Sequence, residues 1–183
     1  GGSVEGFAEL MNYKAQELGL ENTHFITPHG LDQPEHYTTA YELAKITDLD
    51  ALLEIENECF KDPYTHDDML YELSQNPCSK ILIFKKEWGF AGFLDFWITF
   101  DSATICQIGV KKSERRQGIG EALLLEAIKM LKEQNVEFFT LEVRASNTAA
   151  IALYTKVGFE KVTVKTGYYK DGEDAIYMVK GLI

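Results

Sequence analysis

The most specific feature of the sequence is Arg115-Arg116-Gln117-Gly118-Ile119-Gly120. It separates a run rich in β-branched residues, 104–110, from an amphipathic run, 118–134, and so predicts a strand, a tight turn and a helix in succession. Glycine lets the main chain turn sharply and approach a ligand with no Cβ in the way. The N–H groups of a first helical turn, with two arginines beside them, form an anion site suited to phosphate. The plainer alternative is a glycine turn that only begins a helix, with both arginines in solvent.

The turn differs from the two common nucleotide-binding patterns, because it has neither the third glycine of Gly-x-Gly-x-x-Gly nor the Gly-Lys-Ser/Thr of a Walker loop. It matches Arg/Gln-x-x-Gly-x-Gly/Ala, the pyrophosphate-binding turn of the GNAT acetyltransferases, and the chain resembles that family over about residues 46–182. Further stretches resemble the family's RimI branch, whose members acetylate the N-terminal alanine of a small-subunit ribosomal protein. These stretches are Leu141-Glu142-Val143-Arg144-Ala145-Ser146-Asn147, Ala149-Ala150-Ile151-Ala152-Leu153-Tyr154, Val157-Gly158-Phe159 and Gly167-Tyr168-Tyr169-Lys170-Asp171-Gly172-Glu173-Asp174-Ala175-Ile176.

Hydrophobic periodicity outside the turn predicts helices and strands along the whole chain. Because strands come first and then alternate with helices, the sheet must be mixed. The resemblance implies an α/β (α+β) fold of the GNAT type, in which helices flank a mixed, mostly antiparallel sheet. Residues 39–44 fit a helix with a capping box and also fit a strand, and we favour the helix. The other predicted helices span residues 3–18, 47–60, 118–134 and 148–157, together with one that begins at Thr65 or Asp67 and ends at about Ser74. The predicted strands span residues 81–85, 90–100, 104–110, 137–143, 159–168 and 174–180.

The resemblance also implies that acetyl-CoA is the co-substrate, bound by the turn and by the strand before it. In other members the main chain of this strand lines the pantetheine arm. Gly109 in mid-strand weakens a ladder, which fits a bulge or a close approach of the ligand. The residues that the resemblance predicts to bind acetyl-CoA are Ile108, Gly109, Val110, Arg115, Arg116, Gln117, Gly118, Ile119, Gly120, Glu121 and Asn147.

Two further residues match the chemistry that acetyl transfer requires, which is a base for the amine and an acid for the leaving thiolate. By resemblance Glu142 is the base, and the alternative is an outward residue of an alternating strand. Tyr154 matches the family's general acid. A phenol of pKa about 10 is able to protonate a thiolate whose thiol has a pKa near 8.5, and the alternative role for this ring is core packing. In either case Asn147 caps the helix that follows it.

The charge balance narrows the choice of partner. The chain has 18 basic and 29 acidic residues and a net charge of −11, so we expect no nucleic acid and favour a cationic acceptor such as the basic N-terminal peptide of a ribosomal protein. Tyr168 and Tyr169 are candidates for packing on the first residues of that peptide. The acidic residues that would receive its basic side chains, and that a solvated surface explains equally well, are Asp67, Asp68, Glu72, Asp171, Glu173 and Asp174.

Other features of the sequence exclude further classes of protein. No apolar run approaches the ~20 residues of a membrane helix, and no basic and then apolar leader pattern is present, so we expect a cytoplasmic protein with no membrane partner. Three widely spaced cysteines without a Cys-x-x-Cys motif indicate reduced thiols. Four histidines lack the spacing of metal ligands, and we predict no metal site.

Residues 2–46 resemble a different family, the D-alanyl-D-alanine carboxypeptidases, in short matches such as Pro28-His29-Gly30-Leu31 and His36-Tyr37-Thr38-Thr39-Ala40. That family acts through a Ser-x-x-Lys nucleophile, which is absent from this chain, so we predict no peptidase chemistry. Ser74-Gln75-Asn76 and Lys165-Thr166-Gly167 spell its other two motifs by coincidence. We therefore divide the chain into a non-catalytic segment, residues 1–45, helical and then irregular, and an acetyltransferase domain, residues 46–183.

The N-terminal segment takes the place of the first strand that the acetyltransferase fold implies. Either residues 41–45 or residues 23–27 supply that strand, or the sheet begins one strand short. An uncovered edge strand pairs readily with another chain, so a homodimer through this altered edge is a prediction.

Together these features predict an acetyl-CoA-dependent Nα-acetyltransferase that works by direct transfer. One alternative is a member of the same family that acetylates another small amine. The other is a module that holds CoA without turnover.

Overall fold

The computed structural model describes residues 4–17, 24–25, 40–87 and 89–183. These residues form two compact units. The first contains the described residues of Gly1–Glu54 and of Tyr64–Asn76, and the second contains the described residues of Ile55–Pro63 and of Pro77–Ile183. The predicted helix 3–18 begins and ends outside the described residues, at Ser3 and Leu18. Most of the irregular stretch that follows it and Thr39, the first residue of the predicted helix 39–44, also lie outside them.

The first unit is helical. Helix α1 spans Val4–Glu17, helix α2 spans Ala40–Cys59 and continues into the second unit, and helix α3 spans His66–Ser74. Thr65 begins α3 with a complete capping box, because its hydroxyl accepts the Asp68 N–H while the Asp68 carboxylate accepts the Thr65 N–H. The favoured helix at 39–44 is confirmed from residue 40, and it is one helix with the predicted 47–60.

The second unit contains a six-stranded sheet of order β1-β2-β3-β4-β6-β5. The pair β3·β4 is parallel and the other four pairs are antiparallel, which confirms the mixed, mostly antiparallel sheet. Two helices follow strands of this sheet, α4 at Ile119–Glu133 and α5 at Thr148–Lys156. The strands are β1 Ser79–Lys86, β2 Gly89–Thr99, β3 Ser102–Val110, β4 Phe138–Arg144, β5 Glu160–Lys165 and β6 Ala175–Gly181.

The core of the second unit lies between one face of the sheet and helices α4 and α5. Phe139, Leu141 and Val143 alternate along β4 and are all buried in this core, as the period of two in a strand requires. Phe139 packs against Phe96 and Phe159 with ring centroids 5.7 and 5.5 Å apart. Each such buried ring stabilises the fold by about 1.5–3 kcal/mol relative to exposure.

The question of the first strand is settled in part. Residues 41–45 belong to α2, so they do not form a strand. Of residues 23–27 only His24 and Phe25 are described, and the Asn12 side chain bonds to both main-chain groups of Phe25 at 2.7 Å. Within the described residues β1 is an outer strand of the sheet. The homodimer remains a prediction.

Membrane insertion through a helix is not supported in the described part of the chain, where every helix is too short or too polar to cross a bilayer.

Candidate active site

The N-terminus of α4 presents main-chain N–H groups without a side-chain cap. Gly118 is the N-cap residue, with φ of +81°, and no side chain among the described residues caps this end of the helix. The N–H groups of a first helical turn have no partner within the helix and lie at the positive end of its dipole. Residues 118–121 therefore provide the donors that a diphosphate requires, and the site fits the predicted anion.

The side chains of the turn hold its shape. Arg115 Nε donates to the Val110 carbonyl at 3.0 Å, so this arginine ties the turn to the end of β3. The Gln117 amide accepts from Lys86 Nζ at 2.7 Å and donates to the Glu114 carboxylate at 3.1 Å. Arg116 is exposed and has a positive φ of 61°, which an L-residue rarely adopts. The positive φ of Arg116 points to a turn whose conformation is fixed by its surroundings, and Gly118 adopts its own positive φ without strain.

Gly120 and Glu121 join α4 to α5. A Cβ at Gly120 would lie 3.0 Å from Leu153 Cδ2, so the missing side chain lets the two helices pack closely here. Lys156 Nζ on α5 donates to the Glu121 carboxylate at 2.5 Å. Ile119 is buried in the core. These three residues can therefore bind a ligand through their main-chain N–H groups only.

A β-bulge opens the sheet beside this helix. In the β2·β3 ladder, Asp95 pairs with Gln107 and Phe96 pairs with Ile105, so Cys106 is the extra residue. The parallel ladder of β3 with β4 ends at the pair Ile105 and Leu141. Since a bulge bends its strand, β3 and β4 diverge beyond this point. Between them lies a cavity of about 280 Å³, lined by Phe60, Lys61, Asp62, Ile105, Cys106, Gln107, Ile108, Glu142, Val143, Arg144, Asn147, Ala150, Tyr154 and Tyr169.

The bulge that the sequence suggested at Gly109 therefore lies at Cys106. A Cβ at Gly109 would lie 2.8 Å from the Phe93 ring and 3.1 Å from Ile55 Cγ2, so glycine is needed there for packing against the sheet's other face. Of the three strand residues predicted to line the pantetheine arm, Ile108 lines the cavity. The Val110 carbonyl accepts from Arg115 and from the Cys59 thiol.

The two predicted catalytic residues both line the cavity. Glu142 Oε1 accepts a hydrogen bond from Lys165 Nζ at 2.6 Å, and its side chain is 20% exposed. Tyr154 is buried, and its ring contacts Phe159 edge to face at 5.8 Å. Burial raises the pKa of Tyr154 well above its ordinary value of 10, so the phenol stays protonated at any working pH. Asn147, also at the cavity, caps α5 by accepting the Ala150 N–H at 3.1 Å, as predicted.

A network of charges around Arg144 borders the same cavity. Its guanidinium lies 3.9 Å from the centre of the Tyr169 ring and donates to Asp171 and Glu173 at 2.9–3.1 Å. Lys61 Nζ donates to Asp171 at 2.8 Å. The Lys61 hydrogen bond, followed by that of Arg144, lowers the pKa of Asp171 far below its usual range. The network joins the loop after α2 to the β5–β6 hairpin.

The acidic residues predicted to receive a basic peptide largely have internal partners. In the second unit Asp171 and Glu173 bind Arg144, and Asp174 accepts the Gly167 N–H at 2.8 Å. In the first unit Asp68 belongs to the capping box of α3, and Glu72 is buried and accepts from Asn76. A basic acceptor would have to compete with these bonds.

Several residues that line the cavity were not predicted from the sequence, among them the polar residues Arg144, Lys61 and Gln107. Gln107 Oε1 is buried and has no protein hydrogen-bond partner among the described residues. The sequence contains one indication of Arg144: on β4, Glu142 and Arg144 alternate with apolar residues, so the two side chains share a polar face of the strand.

The sequence of the chain is similar to that of a known family of proteins. Residues 49–159 match the model of the acetyltransferase (GNAT) family. The ribosomal protein bS18-alanine N-acetyltransferase of Escherichia coli K12 is 38% identical over 137 residues, which are 72% of this chain and 90% of that protein. An N-alpha-acetyltransferase of Sulfurisphaera tokodaii is 33% identical over 151 residues, which cover 76% of this chain and 90% of the relative.

A solved structure shows the same fold. The crystal structure of the ribosomal-protein-S18-alanine N-acetyltransferase from Escherichia coli aligns with a TM-score of 0.69 and 36% sequence identity, over 74% of this chain and 88% of that chain. The fold and the family resemblance predicted from the sequence are thereby confirmed.

A second family model, that of D-alanyl-D-alanine carboxypeptidase, matches residues 1–81 and overlaps the first. The motif-like triplets inside the acetyltransferase region have hydrogen-bond partners within that region. Ser74 Oγ donates to the Leu70 carbonyl at 2.7 Å, and Asn76 donates to Glu72 at 2.8 Å. Lys165 donates to Glu142.

Proposed function

The chain belongs to the GNAT acetyltransferase family, whose members use acetyl-CoA, and from that premise we propose that it acetylates the α-amino group of an N-terminal alanine on a ribosomal protein. The observation that carries the proposal is the position of Glu142 and Tyr154 in one cavity, at the point where β3 and β4 diverge. The names of two relatives, a ribosomal protein bS18-alanine N-acetyltransferase and an N-alpha-acetyltransferase, support this choice of acceptor.

Binding of the donor relies on the main chain in this proposal. The N–H groups of residues 118–121 hold the diphosphate, with Arg116 beside them, and the bound acetyl-CoA supplies a thioester. The open edge of β3 between Cys106 and Ile108 borders the path of the pantetheine arm. Asn147 lies at the same cavity and keeps the N-terminus of α5 in place.

Glu142 is the base in this mechanism. An α-amino group has an ordinary pKa of about 7.7–8.0, so a carboxylate that accepts its proton, directly or through one water, is sufficient near pH 7. The free amine then attacks the thioester carbonyl carbon, a C–N bond forms and the C–S bond breaks.

Tyr154 assists the departure of the thiolate. Its pKa is raised by burial, whereas the thiol of the leaving group has an ordinary pKa near 8.5. Complete transfer of the phenol proton is therefore unfavourable, and the main contribution of Tyr154 is a hydrogen bond to the sulfur as negative charge develops there. The second proton of the attacking nitrogen, lost as the amide forms, reaches the thiolate through water.

The test is acetylation of a short basic peptide that begins with alanine, followed by mass spectrometry. We expect one acetyl group at the α-amine, and a loss of about 10²–10⁴ in kcat/KM for Glu142→Gln with CoA affinity by calorimetry unchanged. Glu160→Gln, on the exposed strand β5, is the matched control and should retain full activity. CoA binding without acetylation of any amine would indicate a binding module, and acetylation of small amines in preference to the peptide would replace the proposed acceptor.

The carboxypeptidase match gives a separate prediction. Acylation by a β-lactam needs the serine of a Ser-x-x-Lys motif, and this chain has none. A fluorescent penicillin should therefore leave the protein unlabelled under conditions in which an active carboxypeptidase is labelled. A covalent adduct on any serine would contradict this assignment.

A further inference from the structure

The ammonium group of Lys165 already forms a hydrogen bond with Glu142, the proposed base. Lys165 Nζ lies 2.6 Å from Glu142 Oε1, 5.0 Å from the centre of the Tyr177 ring and 5.3 Å from the centre of the Tyr168 ring. A carboxylate combined with two aromatic ring faces is an arrangement that recognises a cationic amine. The surroundings of Lys165 Nζ are therefore those that an acceptor ammonium needs.

The register of the sheet creates this arrangement from distant parts of the chain. Strand β6 lies between β4 and β5, and its Tyr177 pairs with Glu142 on one side and Thr163 on the other. Lys165 is the last residue of β5 and pairs with Ala175, two residues from Tyr177 on β6. Its side chain thus reaches across β6 to Glu142. The side chain is 41% exposed, so the amine is not sealed within the fold.

We propose that Lys165 is an internal acceptor, whose ε-amine takes an acetyl group from acetyl-CoA bound to the same chain. The inference rests on the proposed function, because it uses Glu142 as the base. The Lys165 ammonium loses a proton to Glu142, the free amine attacks the thioester carbonyl carbon, the N–C bond forms and the C–S bond breaks. The attacking nitrogen gives up its second proton, which reaches the thiolate through water, and Glu142 releases the first proton to solvent.

The reaction is slow at neutral pH for a simple reason. An ordinary lysine has a pKa of about 10.4 and an α-amine one of about 7.7–8.0, so the fraction of free amine at pH 7 differs by a few hundredfold. The hydrogen bond to Glu142 raises the pKa of Lys165 further, and Tyr168 and Tyr177 act in the same direction. A peptide α-amine therefore outcompetes Lys165, and self-acetylation rises about tenfold per pH unit between pH 7 and 9.

The experiment uses the full chain with acetyl-CoA and no peptide, followed by intact-mass measurement and peptide mapping. We expect one acetyl group per chain, located at Lys165, to appear at least tenfold faster than at Lys161 of the same strand. The first-order rate constant should not depend on protein concentration, because donor and acceptor are held by one chain. Lys165→Arg should remove the modification, while Lys161→Arg, the matched control, should leave it unchanged.

A second measurement needs no turnover. The side-chain ammonium of Lys165, followed by NMR without acetyl-CoA, should titrate above the ordinary lysine range, and Glu142→Gln should bring it back. If Lys165 of the unsubstituted chain titrates in the ordinary lysine range, the proposed ammonium-binding site is wrong.

The same sample, offered the alanine peptide, separates this inference from the proposed function. If the peptide is acetylated and Lys165 reacts no faster than Lys161, the internal acceptor is wrong and the proposed function stands. If neither is acetylated, both are wrong. A rate that grows with protein concentration indicates transfer between chains and also overturns the proposal.

Discussion

Tyr154 combines two roles at the scale of a single residue, and a substitution can separate them. Its ring is part of the core and contacts Phe159, while its hydroxyl belongs to a residue that lines the cavity. Tyr154→Phe keeps the ring and removes only the hydroxyl. We expect kcat for peptide acetylation to fall about 10²-fold or more, with KM for acetyl-CoA and the free energy of unfolding nearly unchanged.

The comparison variant is Tyr154→Ala, which removes the ring and should cost about 3–5 kcal/mol in urea unfolding. Steady-state kinetics and denaturation on both variants distinguish chemistry from packing. If Tyr154→Phe keeps full kcat, the hydroxyl has no part in the reaction and the residue is a core tyrosine only.

At the scale of the element, the N-terminus of α4 depends on one glycine. Gly118 has a positive φ, and a Cβ there would meet no atom within 4 Å, so Gly118→Ala strains the main chain without a clash. The strain is about 1–2 kcal/mol, and the added methyl stands beside the N–H groups proposed to hold the diphosphate. We expect CoA affinity, measured by calorimetry, to fall at least tenfold.

Gly167 supplies the matched control, because it has a φ of +60° and equally open surroundings in the β5–β6 hairpin. Gly167→Ala should cost similar stability and leave CoA affinity unchanged. Equal losses of affinity in the two variants would mean that strain in general, and not the anion site, explains the effect.

The hairpin between β5 and β6 depends on charge. Hydrogen bonds from Lys61 and Arg144 lower the pKa of Asp171, so this carboxylate stabilises the fold above its unfolded pKa of about 3.9 and stops doing so as pH falls through the lower folded value. We expect Asp171→Asn to lower the urea midpoint at pH 6, and the difference from the unsubstituted chain to shrink steadily below about pH 4.

Asp101→Asn, in the exposed turn between β2 and β3, is the control and should show no such pH-dependent difference. Denaturation curves from pH 6 downwards are the measurement. A constant difference at all pH values would show that Asp171 acts through shape rather than charge.

The elements themselves were predictable to within a few residues, because their cause is local. The alternation of Phe139, Leu141 and Val143 and the capping residues Thr65 and Asn147 are visible in the sequence. Pairings across the sheet were not predictable in the same way. The contact of Lys165 with Glu142 spans 23 residues and follows from the register of β6 between β4 and β5.

The glycines show the same division between local and tertiary causes. The sequence associated Gly109 and Gly120 with the approach of a ligand, and in the structure their Cβ atoms would also lie within 3.1 Å of the side chains of Phe93, Ile55 and Leu153. A glycine in the sequence does not indicate whether a ligand or a neighbouring side chain lies where its Cβ would be. The bulge at Cys106 is likewise a property of the β2·β3 register.

At the scale of the whole molecule, the net charge of −11 is the property that bears on a basic acceptor. Because Asp171 and Glu173 are already bonded to Arg144, attraction of a basic peptide comes mainly from the summed field of the chain. This field is long-ranged and is therefore screened by salt, with a Debye length of about 10 Å at 0.1 M.

We expect kcat/KM for a basic peptide to fall severalfold between about 0.05 and about 0.5 M salt, with kcat unchanged. A neutral peptide with the same first residue is the control and should change less than about twofold. An equal loss for both peptides would mean that salt acts on the protein and not on the encounter, and no loss for either would remove the electrostatic argument for a basic acceptor.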